Sequence, residues 1–158
     1  MKRSIGVALL AATTVTSAAD KIDPRLATVR KAFVVPVDDL GDDRGVAVCL
    51  ADHLSQKTPI EAVKTKEEAD VILKVKAHIP SATTRYMVGA MGGSPSTDLS
   101  AELPDGTKLW SDGAKVRRGN TGTQILVRGE HVNPISCALA DEVLDTLLSA
   151  MKKARDKK

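Results

Sequence analysis

The chain has 158 residues, with 23 basic and 20 acidic side chains, a formal net charge of +3 and 2% aromatic residues. That length suits one domain around a single core. The near balance of charge and the scarcity of aromatic rings argue against nucleic-acid and carbohydrate surfaces, which need clustered cations or stacking platforms.

Residues 1–19 read as a cleaved secretory signal peptide. Lys2 and Arg3 form its positive start, Ile5 to Val15 its short apolar run, and Ser17-Ala18-Ala19 its small-residue cleavage site. The run is too short to cross a bilayer, and no other stretch is long and apolar enough to do so. No cysteine follows it as a site for lipid attachment. The mature chain is expected to be exported to the periplasm, with 21 basic against 20 acidic residues once Lys2 and Arg3 are removed.

Residues 20–28 read as a flexible leader, because Asp23-Pro24 disfavours helix locally. Residues 29–37 form the first expected strand, with Phe33, Val35 and Val37 on one face. Pro36 has no N–H to donate, so this strand ends there or lies near a sheet edge. An acidic turn follows, with Asp38, Asp39, Asp42 and Asp43 around Gly41. Residues 44–56 are expected to be helical, with Val46, Cys49, Leu50 and His53 or Leu54 on one stripe and the acids at the N-terminal end, where the helix dipole favours them. Ile60 to Val63 reads as a short second strand. Thr65 and Glu68 have the spacing of a capping box, which implies one helical turn.

The strongest pattern lies at residues 67–79. Val71, Leu73, Val75, Ala77 and Ile79 alternate with Ile72, Lys74, Lys76 and His78, so a strand sends the first set to one face. Ile72 interrupts the polar face, which places the strand well inside a sheet. Pro80 ends it. Residues 81–98 are rich in glycine and methionine. A stretch of that length is often functional. It is open to two readings: a partner contact made by Arg85, Tyr86, Met87, Val88 and Met91, or a glycine-rich edge strand packed on its own sheet. Residues 99–103 and 107–116 then form a hairpin around Pro104-Asp105-Gly106, where proline sets φ and glycine tolerates positive φ. In residues 117–133 only Gln124 to Val127 looks extended. The last helix starts at Asn133-Pro134 or at Ser136 and carries the apolar stripe Cys137, Ala140, Leu144, Leu147 and Met151. Residues 155–158 form a basic tail that suits a solvated helix C-terminus, with anionic-lipid binding as the other reading.

This order predicts an α+β fold: a two-layer sandwich with a mixed four- to five-stranded sheet and two helices on one face, built from residues 29–154 as a single domain. Two cysteines, Cys49 and Cys137, remain in an exported chain, which favours a disulfide between them. Two buried thiols are the alternative.

The segments Glu68-Ala69-Asp70-Val71-Ile72-Leu73, Arg85 to Gly93 and Leu99-Ser100-Ala101-Glu102-Leu103-Pro104-Asp105-Gly106-Thr107-Lys108-Leu109-Trp110 carry a resemblance. The chain resembles small exported bacterial envelope domains of unknown function. They are of the type found in the amino-terminal domain of TolB, the periplasmic domain of the curli secretion channel and the outer-membrane activators of peptidoglycan synthases. The resemblance implies the same α+β fold and a scaffolding or protein-interaction role.

No catalytic motif accompanies it. His53, His78 and His131 lack a second ligand at metal spacing, so packing or surface roles are expected. There is no Gly-x-Ser-x-Gly elbow and no phosphate-binding loop. The function expected is therefore a non-enzymatic periplasmic interaction domain, without cofactor or metal, that docks on an envelope protein partner. The alternative is a small-ligand or metal-ion carrier using the acidic turn at 38–43 or a pocket under the 81–98 loop.

Overall fold

The computed structural model describes residues 22–81, 93–116 and 123–157. Its elements run β1 (Lys31–Pro36), α1 (Asp42–Lys57), β2 (Glu61–Ala62), β3 (Val71–His78), β4 (Ser96–Glu102), β5 (Lys108–Lys115), β6 (Ile125–Val127), β7 (Glu130–Val132) and α2 (Pro134–Asp156). The expected signal peptide at 1–19 lies outside the described residues.

The strong alternation at β3 places it at the centre of a five-stranded sheet of order β2-β1-β3-β4-β5. β1 runs parallel to β2 and β3, and β4 and β5 are antiparallel. Val71, Leu73 and Val75 enter the core with Ala32 of β1 and Leu99 and Ala101 of β4. Both helices cover this face: α1 contacts β1, β2 and β3, and α2 contacts β4 and β5. Lys74, Lys76 and His78 point away from the helices and are exposed. The α+β two-layer sandwich expected from the sequence is the observed architecture, with β6 and β7 forming a separate two-stranded sheet.

The 104–106 turn forms as its residues require. Gly106 has φ 91° and donates its N–H to the Leu103 carbonyl at 2.9 Å. Just inside the turn the ladder slips, because Ala101 pairs with Trp110 while Glu102 pairs with Lys108. The unmatched residue is Leu109. A bulge of this kind turns two successive side chains toward one side, and both Leu109 and Trp110 join the core. Strict alternation would have exposed one of them.

Four expectations differ from the structure. Residues 20–28 are not a loose leader throughout, because Pro24–Thr28 forms a 3-10 turn that Asp23 caps by accepting the Arg25 N–H at 2.9 Å. The turn inserts Leu26, 1% exposed, into the core, and one such side chain stabilises by about 1.5–3 kcal/mol. Thr65 precedes the expected turn at Lys66–Glu68 but makes no side-chain cap bond. Residues 117–133 contain the unexpected strand β7, joined to β6 by Arg128 and Gly129 with φ 51° and 84°, the left-handed pair that a two-residue hairpin needs. Finally, α2 continues to Asp156 and buries Ala154, so the basic tail begins later than residue 155.

Candidate functional site

The chemistry-bearing residues fall into three groups. The first is the disulfide. Cys49 on α1 and Cys137 on α2 are bonded, with their Cα atoms 5.0 Å apart. The helices approach closely here: a Cβ placed on Gly45 would lie 2.8 Å from Ser136 Oγ. One turn further along α2, Asp141 pairs with Lys57 across the same two helices. His53 Nδ1 also stands 2.9 Å from Asp141 Oδ1, but it is not aligned for a hydrogen bond. His53 is therefore a packing residue of the helix pair. His78 ends β3, and His131 faces Leu126 across the β6–β7 ladder.

The second group is the acidic turn. β1 stops at Pro36, whereas β3 continues to His78. The Val37 N–H donates to the Val75 carbonyl at 2.8 Å, so the odd-numbered groups of β3 face β1. Beyond Val75 they have lost their partner strand. The Ala77 N–H donates to Asp43 Oδ1 at 2.6 Å and the Ile79 N–H to Asp42 Oδ2 at 3.0 Å. Asp43 Oδ2 accepts the Asp38 N–H at 2.9 Å, and Asp38 Oδ1 accepts from Leu40. The first turn of α1 thus extends the ladder with carboxylates in place of a strand. This is why Asp43 is buried, at 6% exposure. The ion-carrier expectation for residues 38–43 loses its ligands, because three of the four carboxylates already accept backbone donors. Among the described residues, no group of three or more His, Cys, Asp or Glu side chains is placed to hold a metal ion.

The third group is a groove beside the open edge of β1. β2 pairs only with Lys31 and Ala32. The Ala32 carbonyl accepts the Val63 N–H at 2.9 Å, so even-numbered β1 groups face the β2 side. Val34 therefore presents its N–H and C=O where β2 has ended. Pro36, also even-numbered, has no donor to leave unpaired there, which is the physical reason it is tolerated. Alongside this edge runs a groove of about 420 Å³. Its apolar wall is Phe33, Val34, Ala47, Val48 and Ala51, and Lys64 stands at its rim.

The β6–β7 hairpin forms the far side of the groove through Arg128 and Glu130. Arg44 at the start of α1 clamps Glu130 with Nε at 2.8 Å and Nη2 at 3.1 Å. The hydrogen-bonded Arg44 guanidinium holds the Glu130 carboxyl below its ordinary value, against the opposing effect of burial. Sequence reasoning missed this element. The signal was Val127-Arg128-Gly129-Glu130, a glycine at the second turn position between extended residues.

Arg85, Tyr86, Met87, Val88 and Met91, the expected partner contact, lie outside the described residues.

The charge at the molecule's other end gives a pH-dependent prediction. The Arg25 guanidinium and backbone N–H hold the Asp23 carboxyl at about 2, below its ordinary 3.8. A carboxyl depressed on folding contributes stability that is present above its unfolded value. That contribution is lost as pH falls through the folded value. The loss is therefore expected between about pH 4 and pH 2. A carboxyl-carbon NMR titration should place the Asp23 midpoint near 2, and Asp23→Asn should remove this part of the acid dependence of unfolding. A midpoint at the ordinary carboxylate value would show that the cap bond does not persist in solution.

No family model matches the chain, and no curated protein matches it. Among solved structures it is similar to a variant PelC dodecamer from Paraburkholderia phytofirmans. The identity is 16% and the TM-score 0.42, over 75% of this chain and 85% of that one. A second PelC dodecamer from that organism has 13% identity and a TM-score of 0.40, over 75% and 86% of the two chains. The solution structure of uncharacterized lipoprotein B from Nitrosomonas europaea has 13% identity and a TM-score of 0.37, over 80% and 81%.

Proposed function

We propose that this protein is a non-enzymatic interaction domain of the bacterial cell envelope, exported to the periplasm, which docks on a larger protein partner. The observation that carries the proposal is the edge of β1, left open at Val34 beside a groove with one apolar wall and a charged rim. An extended segment of a partner can add to such an edge. Its backbone bonds then supply affinity, and alternate side chains find the groove. The Cys49–Cys137 bond supports the export assignment, since disulfides persist in oxidising compartments. Arg85, Tyr86, Met87, Val88 and Met91 supply a second contact in this reading, on the strength of their composition.

The test is site-specific photocrosslinking in living cells from Lys64 at the groove rim and from Met87, with Lys108 beside the 104–106 turn as control. A discrete adduct from Lys64, absent from Lys108, is the expected result. An adduct from Met87 alone would move the contact to the glycine-rich stretch. Silence at both positions would refute the interaction role.

A further inference from the structure

A second groove, of about 700 Å³, lies at the opposite end of the molecule, between the last turns of α2, the 3-10 turn at Pro24–Thr28 and the start of β2. Its floor is apolar, made by Val29, Ile60, Leu148 and Met151. Its rim is cationic, made by Arg30, Lys152 and Arg155, with Asp156 as the one acid. All three cations are exposed, and no ion pair engages them among the described residues. The helix dipole accounts for Lys152 and Arg155, because cations are favoured at a helix C-terminus. It does not account for Arg30, which reaches the same groove from the segment preceding β1. Positive charge thus converges from two separate elements on one apolar floor, in excess over the single rim acid Asp156.

We infer that this groove binds a single-chain anionic amphiphile, with its head group at Arg30, Lys152 and Arg155 and its alkyl chain over Ile60 and Met151. The size is within the usual range for small-molecule clefts, which are mostly apolar with a few convergent polar groups. Charge selects the class. Against three cations and one acid, a neutral or cationic head group gains nothing, whereas a carboxylate or phosphate head gains charge-assisted bonds. The site has none of its lining residues in common with the groove beside Val34 and does not depend on the partner role proposed above.

The experiment uses the full mature chain and dodecanoate below its micellar concentration, followed through the methyl NMR signals of Ile60 and Met151. Saturable shifts of both methyls are expected, with at least tenfold weaker binding for dodecanol and for Arg30→Glu/Arg155→Glu. Both substituted residues are exposed. Should the double variant fail to fold, the comparison of dodecanoate with dodecanol on the unaltered chain decides. Inorganic phosphate alone should bind far more weakly, because it leaves the apolar floor uncovered. Equal response to dodecanoate and dodecanol, or no saturable shift at Ile60 and Met151, would overturn the assignment. Shifts seen only with vesicles of anionic phospholipid would overturn it too, in favour of a membrane-surface contact.

Discussion

Replacing Cys49 and Cys137 together by alanine is expected to lower the free energy of unfolding by about 2–5 kcal/mol. The bond joins residues 88 apart in sequence. A loop of that length corresponds to about 4–5 kcal/mol in the chain-entropy account, less any native strain. The position adds to the effect. The two cysteines sit one turn along α1 from the tight Gly45–Ser136 contact, so releasing them frees both helices over one sheet face. Urea unfolding of the double variant, beside the parent with and without reductant, measures this. The variant and the reduced parent should share one midpoint, below that of the oxidised parent. A parent whose midpoint is insensitive to reductant would mean that the bond carries no stability.

Asp43→Ala is expected to destabilise by about 2–4 kcal/mol, because two backbone donors lose a charged acceptor in a site that water reaches poorly. Those donors are the N–H groups of Ala77 and Asp38. Asp42→Ala removes one bond at an exposed position, to Ile79, and should cost about 1 kcal/mol or less. Hydrogen exchange localises the effect. In Asp43→Ala the Ala77 amide should lose protection, while β3 amides that face β4 keep theirs. If both variants unfold with the parent's midpoint, the carboxylates do not serve as a substitute strand.

Asp70 repeats the device at the other end of the same seam. Its Oδ2 accepts both the Arg30 and the Lys31 N–H at 2.9 Å, and its own N–H donates to the Lys31 carbonyl. The Glu-Ala-Asp turn before β3 thus pins the start of β1 to the start of β3. Acidic residues at both ends close a parallel pair whose ladder is short. That pair is the frame on which the open edge at Val34 depends.

The period-two pattern of residues 71–79, the Pro-Asp-Gly turn and the stripe of α2 were legible because each rests on local geometry. A strand's alternation, a glycine's φ and a helix's apolar face are set by neighbours in sequence. Cys49 and Cys137 were pairable by count and compartment. The buried role of Asp43 was not legible, because one of its two donors lies 34 residues away at Ala77, and an acidic turn beside a helix start looks solvated in sequence. The β6–β7 hairpin was missed because three-residue strands give too short a pattern, and Arg44 holds that hairpin from 86 positions away.

From the sequence alone came the central strand, the two covering helices and their common face, all consequences of side-chain period and chain length. Only the tertiary structure decided that β2 stops after two residues, leaving an edge beside a groove. It alone brought Arg30 to the end of α2. Both features depend on where one element ends relative to another distant in sequence. That offset is settled by packing and backbone hydrogen-bond satisfaction across the whole core, not by any local run of residues.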